Sequence, residues 1–115
     1  MRFTLTPGRW YAMELISPEF GPAVRRCSPV RVDGFRPAGD GSGSFELSFF
    51  HAAYPEGVQS KLYNIYTLER QEHYLLGREA GQKRLVLFLE LTDEWLEKNF
   101  DRQALKNFQR MRTEE

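Results

Sequence analysis

The chain has 115 residues, of which 41% are hydrophobic and 28% are charged, a composition typical of one globular domain. Its 16 Lys and Arg residues balance 16 Asp and Glu residues, which argues against the net positive charge of nonspecific nucleic-acid binders. The single cysteine, Cys27, excludes an intramolecular disulfide. The longest aliphatic and aromatic run, residues 85–89, is too short for a membrane-spanning helix, and the first ten residues lack an apolar signal segment. We therefore expect a single cytoplasmic domain over residues 1–115, with no membrane partner.

The N-terminal part of the chain predicts one strand followed by a loop. Residues 10–16 are rich in aromatic and apolar side chains and follow the turn-forming pair Pro7-Gly8. Residues 17–29 contain three prolines, and a proline nitrogen cannot donate a hydrogen bond to a β-ladder. This second segment is therefore predicted as a loop or an edge rather than as a central strand.

A β-hairpin is predicted over residues 30–36 and 44–51, with its tip at Asp40-Gly41, because Asp-Gly tolerates the backbone of a two-residue turn. This turn pairs Val32 with Phe49 and Val30 with His51. It also separates an apolar face from a polar face, as a half-buried antiparallel pair requires. The apolar face carries Val30, Val32, Phe45, Leu47 and Phe49, and the polar face carries Arg31, Asp33, Glu46 and Ser48.

Three further strands are predicted. Residues 54–57 fit a type I turn, and a strand at residues 62–69 follows it. A second hairpin joins residues 73–78 to residues 84–91 through the tip Ala80-Gly81. This tip sets Leu76 opposite Leu85 and Tyr74 opposite Leu87, with the leucines of the last strand on one face: Leu85, Leu87, Leu89 and Leu91. Because this leucine strand is apolar and strongly β-forming, we expect it to be central or covered.

The C-terminal residues 92–112 predict a helix. Thr92 is suited to cap it, and the acidic side chains of Asp93 and Glu94 are favourable near the positive end of the helix dipole. An apolar stripe recurs at helical spacing: Leu96, Phe100, Ala104, Phe108 and Met111. We expect this stripe to pack on the sheet and cover the leucine strand. Asp101 is an alternative cap for a second helix, so one helix and two helices both remain open.

These segments together predict a mainly β fold. We expect a small antiparallel meander or barrel of about six strands over residues 1–91, followed by one or two helices over residues 92–112. In outline this arrangement resembles small SH3-like barrels, a likeness of fold that implies no particular activity.

Catalytic and metal-binding chemistry has little support in the sequence. Cys27 and His51 are the one candidate pair of nucleophile and base, but strand alternation directs them to opposite faces. His51 and His73 lack the spacing that brings metal ligands together. The glycines of residues 39–43 precede a strand, whereas a phosphate-binding loop precedes a helix. We therefore predict no catalytic residue, no metal site and no cofactor.

Two binding surfaces are predicted instead. The first is an aromatic floor for a peptide or a small ligand, made of Phe50, His51, Tyr54, Tyr63 and Tyr66. The second is a ridge of cations that recur every four residues opposite the apolar stripe: Lys98, Arg102, Lys106 and Arg110. Such a ridge would suit the phosphates of a polyanion.

The leading functional hypothesis is a noncatalytic protein-binding or assembly module, self-association included, that uses an exposed sheet edge or the aromatic residues. The second hypothesis is nucleic-acid binding through the cations of the helix. The third is a small-ligand-binding barrel or an enzyme of unrecognised type that uses His51 or Cys27. An open barrel would favour a ligand site, whereas a filled interior would favour binding through the outer surface.

Overall fold

The computed structural model describes residues 2–17, 24–37, 42–50, 58–79, 81 and 84–114. Among the described residues, a barrel of six strands precedes two helices. The strands are β1 (Trp10–Ser17), β2 (Val24–Pro37), β3 (Ser42–Phe50), β4 (Val58–Arg70), β5 (Tyr74–Glu79) and β6 (Leu85–Glu90), and the helices are α1 (Asp93–Asn99) and α2 (Arg102–Glu114). The predicted mainly β fold with C-terminal helices is confirmed. The predicted turn at residues 54–57 lies outside the described residues.

The six strands form a closed antiparallel barrel in which each strand pairs with the next and β6 returns to β1. The closing register places Met13 beside Phe88. Each strand of the barrel has a hydrogen-bonded neighbour on both sides along part of its length, which reduces the open edges of a flat sheet. Residues 58–64 of β4 pair with β3 alone among the described strands, so binding through an exposed sheet edge stays a prediction.

The segment predicted as a loop or an edge is in part a central strand. Residues 24–29 belong to β2, which lies between β1 and β3, so this part of the prediction was wrong. The Val32 N–H donates to the Arg9 carbonyl oxygen, on the β1 side of β2. Backbone N–H groups alternate sides along a strand, so the Pro29 nitrogen faces Phe50, the last residue of β3. Pro29 is tolerated because its missing N–H falls at the end of the β2–β3 ladder. The Ser28 hydroxyl lies 3.0 Å from the Pro29 carbonyl oxygen, to which it donates, and 3.4 Å from the Phe50 carbonyl oxygen.

The register of the β2–β3 hairpin differs from the prediction by two residues. Val30 pairs with Phe49 rather than with His51, which lies outside the described residues, as does the predicted Asp40-Gly41 tip. The pairing is already shifted by one residue next to the loop, where Pro37 pairs with Gly43. A β-bulge between Val32 and Gly34 adds the second residue of the shift. An even shift keeps each side chain on its face, so the predicted apolar stripe is confirmed in the barrel core.

The predicted polar face of this hairpin contains one buried residue. Ser48 is almost fully buried because its hydroxyl donates to the carboxylate of Asp33 at the bulge. The same carboxylate accepts a hydrogen bond from Arg31 Nε at 2.7 Å. Asp33 therefore pairs with both side chains, and the predicted polar face had placed all three residues together.

The β5–β6 hairpin also differs in register by two residues. Leu76 pairs with Leu87 and Tyr74 with Leu89, because the Glu79 N–H donates to the Arg84 carbonyl oxygen at 3.2 Å and closes a loop longer than the two-residue Ala80-Gly81 tip. The faces are again unchanged, since the shift is even. The leucine strand lies between β5 and β1, so its predicted central position is confirmed.

Side chains from all six strands fill the interior of the barrel. The rings of Phe45 in β3 and Phe88 in β6 meet across it, with centroids 5.9 Å apart, although these strands lie on opposite sides of the closed sheet. This contact spans the barrel. The buried core consists of Phe3, Tyr11, Met13, Val30, Val32, Phe45, Leu47, Ile65, Leu75, Val86 and Phe88.

The residues that precede β1 complete this core. The Phe3 ring packs edge to face on Tyr11 with a centroid distance of 5.7 Å, and the Phe3 N–H donates to the Gln71 carbonyl oxygen at 2.6 Å. The Thr6 N–H donates to the Tyr11 hydroxyl at 2.7 Å. These contacts hold the N-terminal segment against the barrel, and the sequence pattern gave no sign of this role.

The C-terminal segment forms two helices rather than one continuous helix. The Thr92 hydroxyl accepts a hydrogen bond from the Trp95 N–H at 3.1 Å and caps α1. Phe100 then adopts an extended backbone, and the Asp101 carboxylate accepts the Ala104 N–H at 2.7 Å at the start of α2. Each helix therefore has its own cap.

The helices pack on the outside of the barrel, where β1 and β3 supply aromatic side chains. Phe50, Leu96 and Phe108 are buried in this second cluster. Its partly buried members are Trp10, Leu91, Trp95, Phe100, Leu105 and Met111. The predicted cover of the leucine strand is thus limited to Leu91, since Leu85, Leu87 and Leu89 belong to neither buried cluster.

Candidate functional site

The predicted aromatic floor is divided among three environments. Phe50 is only 5% exposed, and its ring lies 5.2 Å from the ring of Phe108 beneath the helices. Tyr63 packs against the barrel core, with its ring 5.6 Å from that of Phe49, whereas Tyr66 is 46% exposed. The structure therefore does not bring these three aromatic side chains together. His51 and Tyr54 lie outside the described residues, so the Cys27 and His51 pair is also undescribed.

The four predicted cations are all exposed, but they lie on two helices. Lys98 belongs to α1, while Arg102, Lys106 and Arg110 follow each other at four-residue spacing along α2. The extended backbone at Phe100 interrupts the helical phase between Lys98 and the others. The continuous part of the ridge therefore consists of the three α2 cations.

The outer surface of the barrel carries apolar side chains on β5 and β6. On β6, Val86 and Phe88 point inward to the core, so the alternating side chains of Leu85, Leu87 and Leu89 point outward. Each of these leucines is half-buried. On β5, Leu75 points inward and Leu76 points outward, beside Leu87. We call these outward side chains the leucine face: Leu76, Leu85, Leu87 and Leu89.

Polar side chains lie at both ends of the leucine face. Arg78 pairs in register with Leu85 at one end and is exposed. It forms no ion pair within the part of the chain that the structure describes. Tyr74 pairs with Leu89 at the other end, and its hydroxyl donates to Glu69 Oε1 at 3.2 Å. Glu69 pairs in register with Leu76, so the face has a cation at one end and a carboxylate on its β4 side that contacts Tyr74.

The contact between Tyr74 and Glu69 affects the acidity of the phenol. Desolvation, and then the hydrogen bond to Glu69 and its negative charge, raise the pKa of Tyr74 above the ordinary tyrosine value. The Gln71 side-chain amide donates to the same carboxylate. At neutral pH the phenol is therefore protonated and holds the Glu69 carboxylate beside the leucine face.

A second group of exposed apolar side chains lies on β2 and β4, and one of them, Tyr66, pairs in register with Arg78. Leu62 and Tyr66 in β4 are 61% and 46% exposed, and Phe35 in β2 is 46% exposed. Leu62 pairs in register with Glu46, whose carboxylate lies 3.5 Å from the Arg36 guanidinium. Leu62 provides a matched control for the leucine face.

Searches of the structure and of known proteins add no further assignment. Within the described ranges no group of three or more His, Cys, Asp or Glu side chains is placed to hold a metal. No helix among those residues is long and apolar enough to span a membrane. Comparison with protein-family models, curated proteins and solved structures finds no match to this chain.

Proposed function

We propose that this protein is a noncatalytic protein-binding or assembly module that binds its partner through the leucine face. The observation that carries the proposal is the orientation of side chains around the barrel wall. The interior is filled, as the contact between Phe45 and Phe88 demonstrates, so aliphatic side chains that point outward add nothing to that core. Half-buried leucines on an outer surface are favourable when a second apolar surface removes them from water.

The surroundings of the leucine face support the same proposal. Protein interfaces have an apolar centre and a polar rim, and charged residues are depleted at the centre. Here the leucines are flanked by Arg78 beside Leu85, by Glu69 beside Leu76 and by Tyr74 beside Leu89. The helices lie elsewhere, over Trp10 and Phe50.

The test is site-specific photo-crosslinking in cells. A benzophenone amino acid replaces Leu87 in one variant and Leu62 in the control, and irradiation links each to whatever protein lies against it. We expect a discrete adduct from position 87, identified by mass spectrometry, that disappears when Leu76→Asp is added and has no counterpart from position 62. Equal or absent crosslinking at the two positions would contradict the proposal.

A second candidate function is polyanion binding by α2. The observation in its favour is the exposed row of Arg102, Lys106 and Arg110 on one side of the helix. Fluorescence anisotropy with single-stranded and duplex oligonucleotides tests it: binding through this row falls steeply with salt and is lost in Lys106→Glu plus Arg110→Glu. Salt-insensitive binding, or no binding, would reject it.

A further inference from the structure

We propose that α2 binds the phosphate backbone of a nucleic-acid duplex through Arg102, Lys106 and Arg110, which we call the α2 row. This inference rests on the second candidate function, polyanion binding by α2, and names its ligand. It is independent of the leucine face, because it uses none of those side chains. The charge of the row, the burial of the apolar side of α2 and the packing of the nearby aromatic rings support it.

The exposed side of α2 carries positive charge that nothing in the described chain compensates. Residues 102–113 contain four cations and no acidic residue, and the three cations of the α2 row are exposed. Among the described residues, none of the three forms an ion pair. Arg102 and Arg110 lie eight residues apart, about 12 Å along the helix, which spans about three phosphates of one strand. A polyanion would thus supply the charge partners of the row.

The apolar side of α2 is already buried and is not available to a membrane. Ala104 and Phe108 are buried, and the Phe108 ring packs on the rings of Trp10 and Phe50. An amphipathic helix that binds a membrane surface inserts its apolar face at the boundary of the acyl chains. The positions of α2 that the structure shows as exposed carry cationic and amide side chains instead. The α2 row therefore suits a dissolved polyanion better than a lipid surface.

The aromatic side chains of the two helices are packed against one another. Trp95 and Phe100 are half-buried, with ring centroids 6.4 Å apart, and Phe108 is fully buried. Proteins that bind single strands stack the bases on aromatic side chains. Within the described part of the helices no aromatic side chain is exposed for such stacking. The α2 row therefore gains its affinity from charge.

A site that acts through charge favours the ligand with the higher charge density. Duplex DNA carries one negative charge per about 1.7 Å of its axis, against about 3.4 Å for one strand. Three phosphate contacts give a slope of log K against log salt of about −2.7 for a duplex and about −2.1 for a single strand. At about 20 mM salt this difference in counterion release favours the duplex about tenfold. It is the reason to infer a duplex rather than a single strand.

The test is fluorescence anisotropy of the full chain with a labelled DNA duplex and with one of its strands, at about 20 to 200 mM salt. We expect the wild type to bind the duplex about tenfold more tightly than the strand at the lowest salt. Arg110→Gln should make the duplex slope less negative by about one, because one phosphate contact is lost. Arg110→Glu should weaken duplex binding at least about tenfold. Circular dichroism verifies the fold of each variant.

The matched control places the same substitution on the barrel. Arg78 in β5 is exposed and forms no ion pair among the described residues, so Arg78→Glu changes the net charge as Arg110→Glu does. We expect Arg78→Glu to bind the duplex within about twofold of the wild type, since salt screens charges that lie far from the contact. Equal weakening in the two variants would overturn the α2 site, because binding would then follow the net charge alone.

The remaining outcomes separate this inference from the functions proposed above. If the single strand, or a vesicle that contains phosphatidylserine, binds at least as tightly as the duplex and binding is lost in Arg110→Glu, the duplex assignment fails while polyanion binding by α2 stands. No binding of either oligonucleotide at the lowest salt contradicts both. Crosslinking at position 87 tests the leucine face separately, and none of these results changes its outcome.

Discussion

The indole of Trp10 in β1 and the ring of Phe108 in α2 meet edge to face, with centroids 5.2 Å apart and planes at 90°. This geometry is the favoured one for aromatic pairs, because the positive edge of one ring faces the negative face of the other. The Arg31 guanidinium covers the Trp10 ring at 5.8 Å from the centroid. One contact therefore joins the first strand to the last helix.

Replacing Phe108 should detach the helices from the barrel. Phe108 is fully buried and contacts Trp10, Phe50 and Phe100. We expect Phe108→Ala to lower the free energy of unfolding by about 3 to 5 kcal/mol, because it leaves a cavity beneath α2. Urea unfolding followed by tryptophan fluorescence measures the loss. Phe35→Ala is the control, since Phe35 is 46% exposed, and an equal loss in both variants would contradict this account.

The role of the N-terminal segment can be tested at Phe3. Phe3 is buried in the barrel core against Tyr11, whereas the neighbouring Thr4 is exposed. We expect Phe3→Ala to reduce the free energy of unfolding by about 3 kcal/mol and Thr4→Ala to change it by less than about 0.5 kcal/mol. Thermal and urea unfolding give both values. A neutral Phe3→Ala variant would show that the barrel core is complete without this segment.

Gly77 marks a place where the barrel has no room for a side chain. A Cβ atom at Gly77 would lie 2.4 Å from Ile65 Cγ2 and 3.0 Å from the Tyr66 carbonyl oxygen. We expect Gly77→Ala to destabilise the fold by about 1 to 3 kcal/mol through overpacking. Gly81 is the comparison, because a Cβ there meets nothing within 4 Å and its φ of 76° imposes only backbone strain. Gly81→Ala should therefore cost about 1 kcal/mol, and a larger loss there than at Gly77 would reject the steric explanation.

The titration of Tyr74 should report its contact with Glu69. Since folding raises the pKa of Tyr74, the resulting stabilisation is complete below the ordinary tyrosine pKa of about 10 and is lost as the pH rises through the raised pKa. Carbon-13 NMR of labelled tyrosines, assigned with Tyr74→Phe, measures this pKa directly. Glu69→Gln should lower it, because the negative charge is removed while desolvation remains. A pKa at or below the ordinary value in the wild type would contradict the observed geometry.

The alternation of residues along the strands was predictable without the structure. Val30, Val32, Phe45 and Leu47 were assigned to one face, and all four are buried in the barrel core. The Thr92 and Asp101 caps were likewise visible in the chain, because capping depends on residues a few positions apart. Both features depend on local geometry. Side chains alternate with a period of two residues along a strand, so an even shift in register leaves each side chain on its face.

The candidate site depended on contacts that the sequence pattern does not contain. Tyr63 and Tyr66 were grouped by proximity in sequence, but an odd spacing on one strand directs them to opposite sides of the barrel wall. Phe50 was expected at a binding surface and is covered by α2 instead. The leucines were recognised as one face of their strand, but the core uses the opposite face, Val86 and Phe88, and the helices pack elsewhere.

Some features were predictable from the sequence and others were not, because the interactions that fix them act over different distances along the chain. Side-chain alternation and helix capping are fixed by neighbouring residues, so they can be inferred from a short stretch of chain. Residues that are distant in sequence come together at the closure between β1 and β6, at the bulge beside Gly34 and where Phe3 packs in the barrel core. The outward leucine face follows from those long-range contacts, because the barrel core and the helix cluster are built from other side chains of β5 and β6 and from other strands.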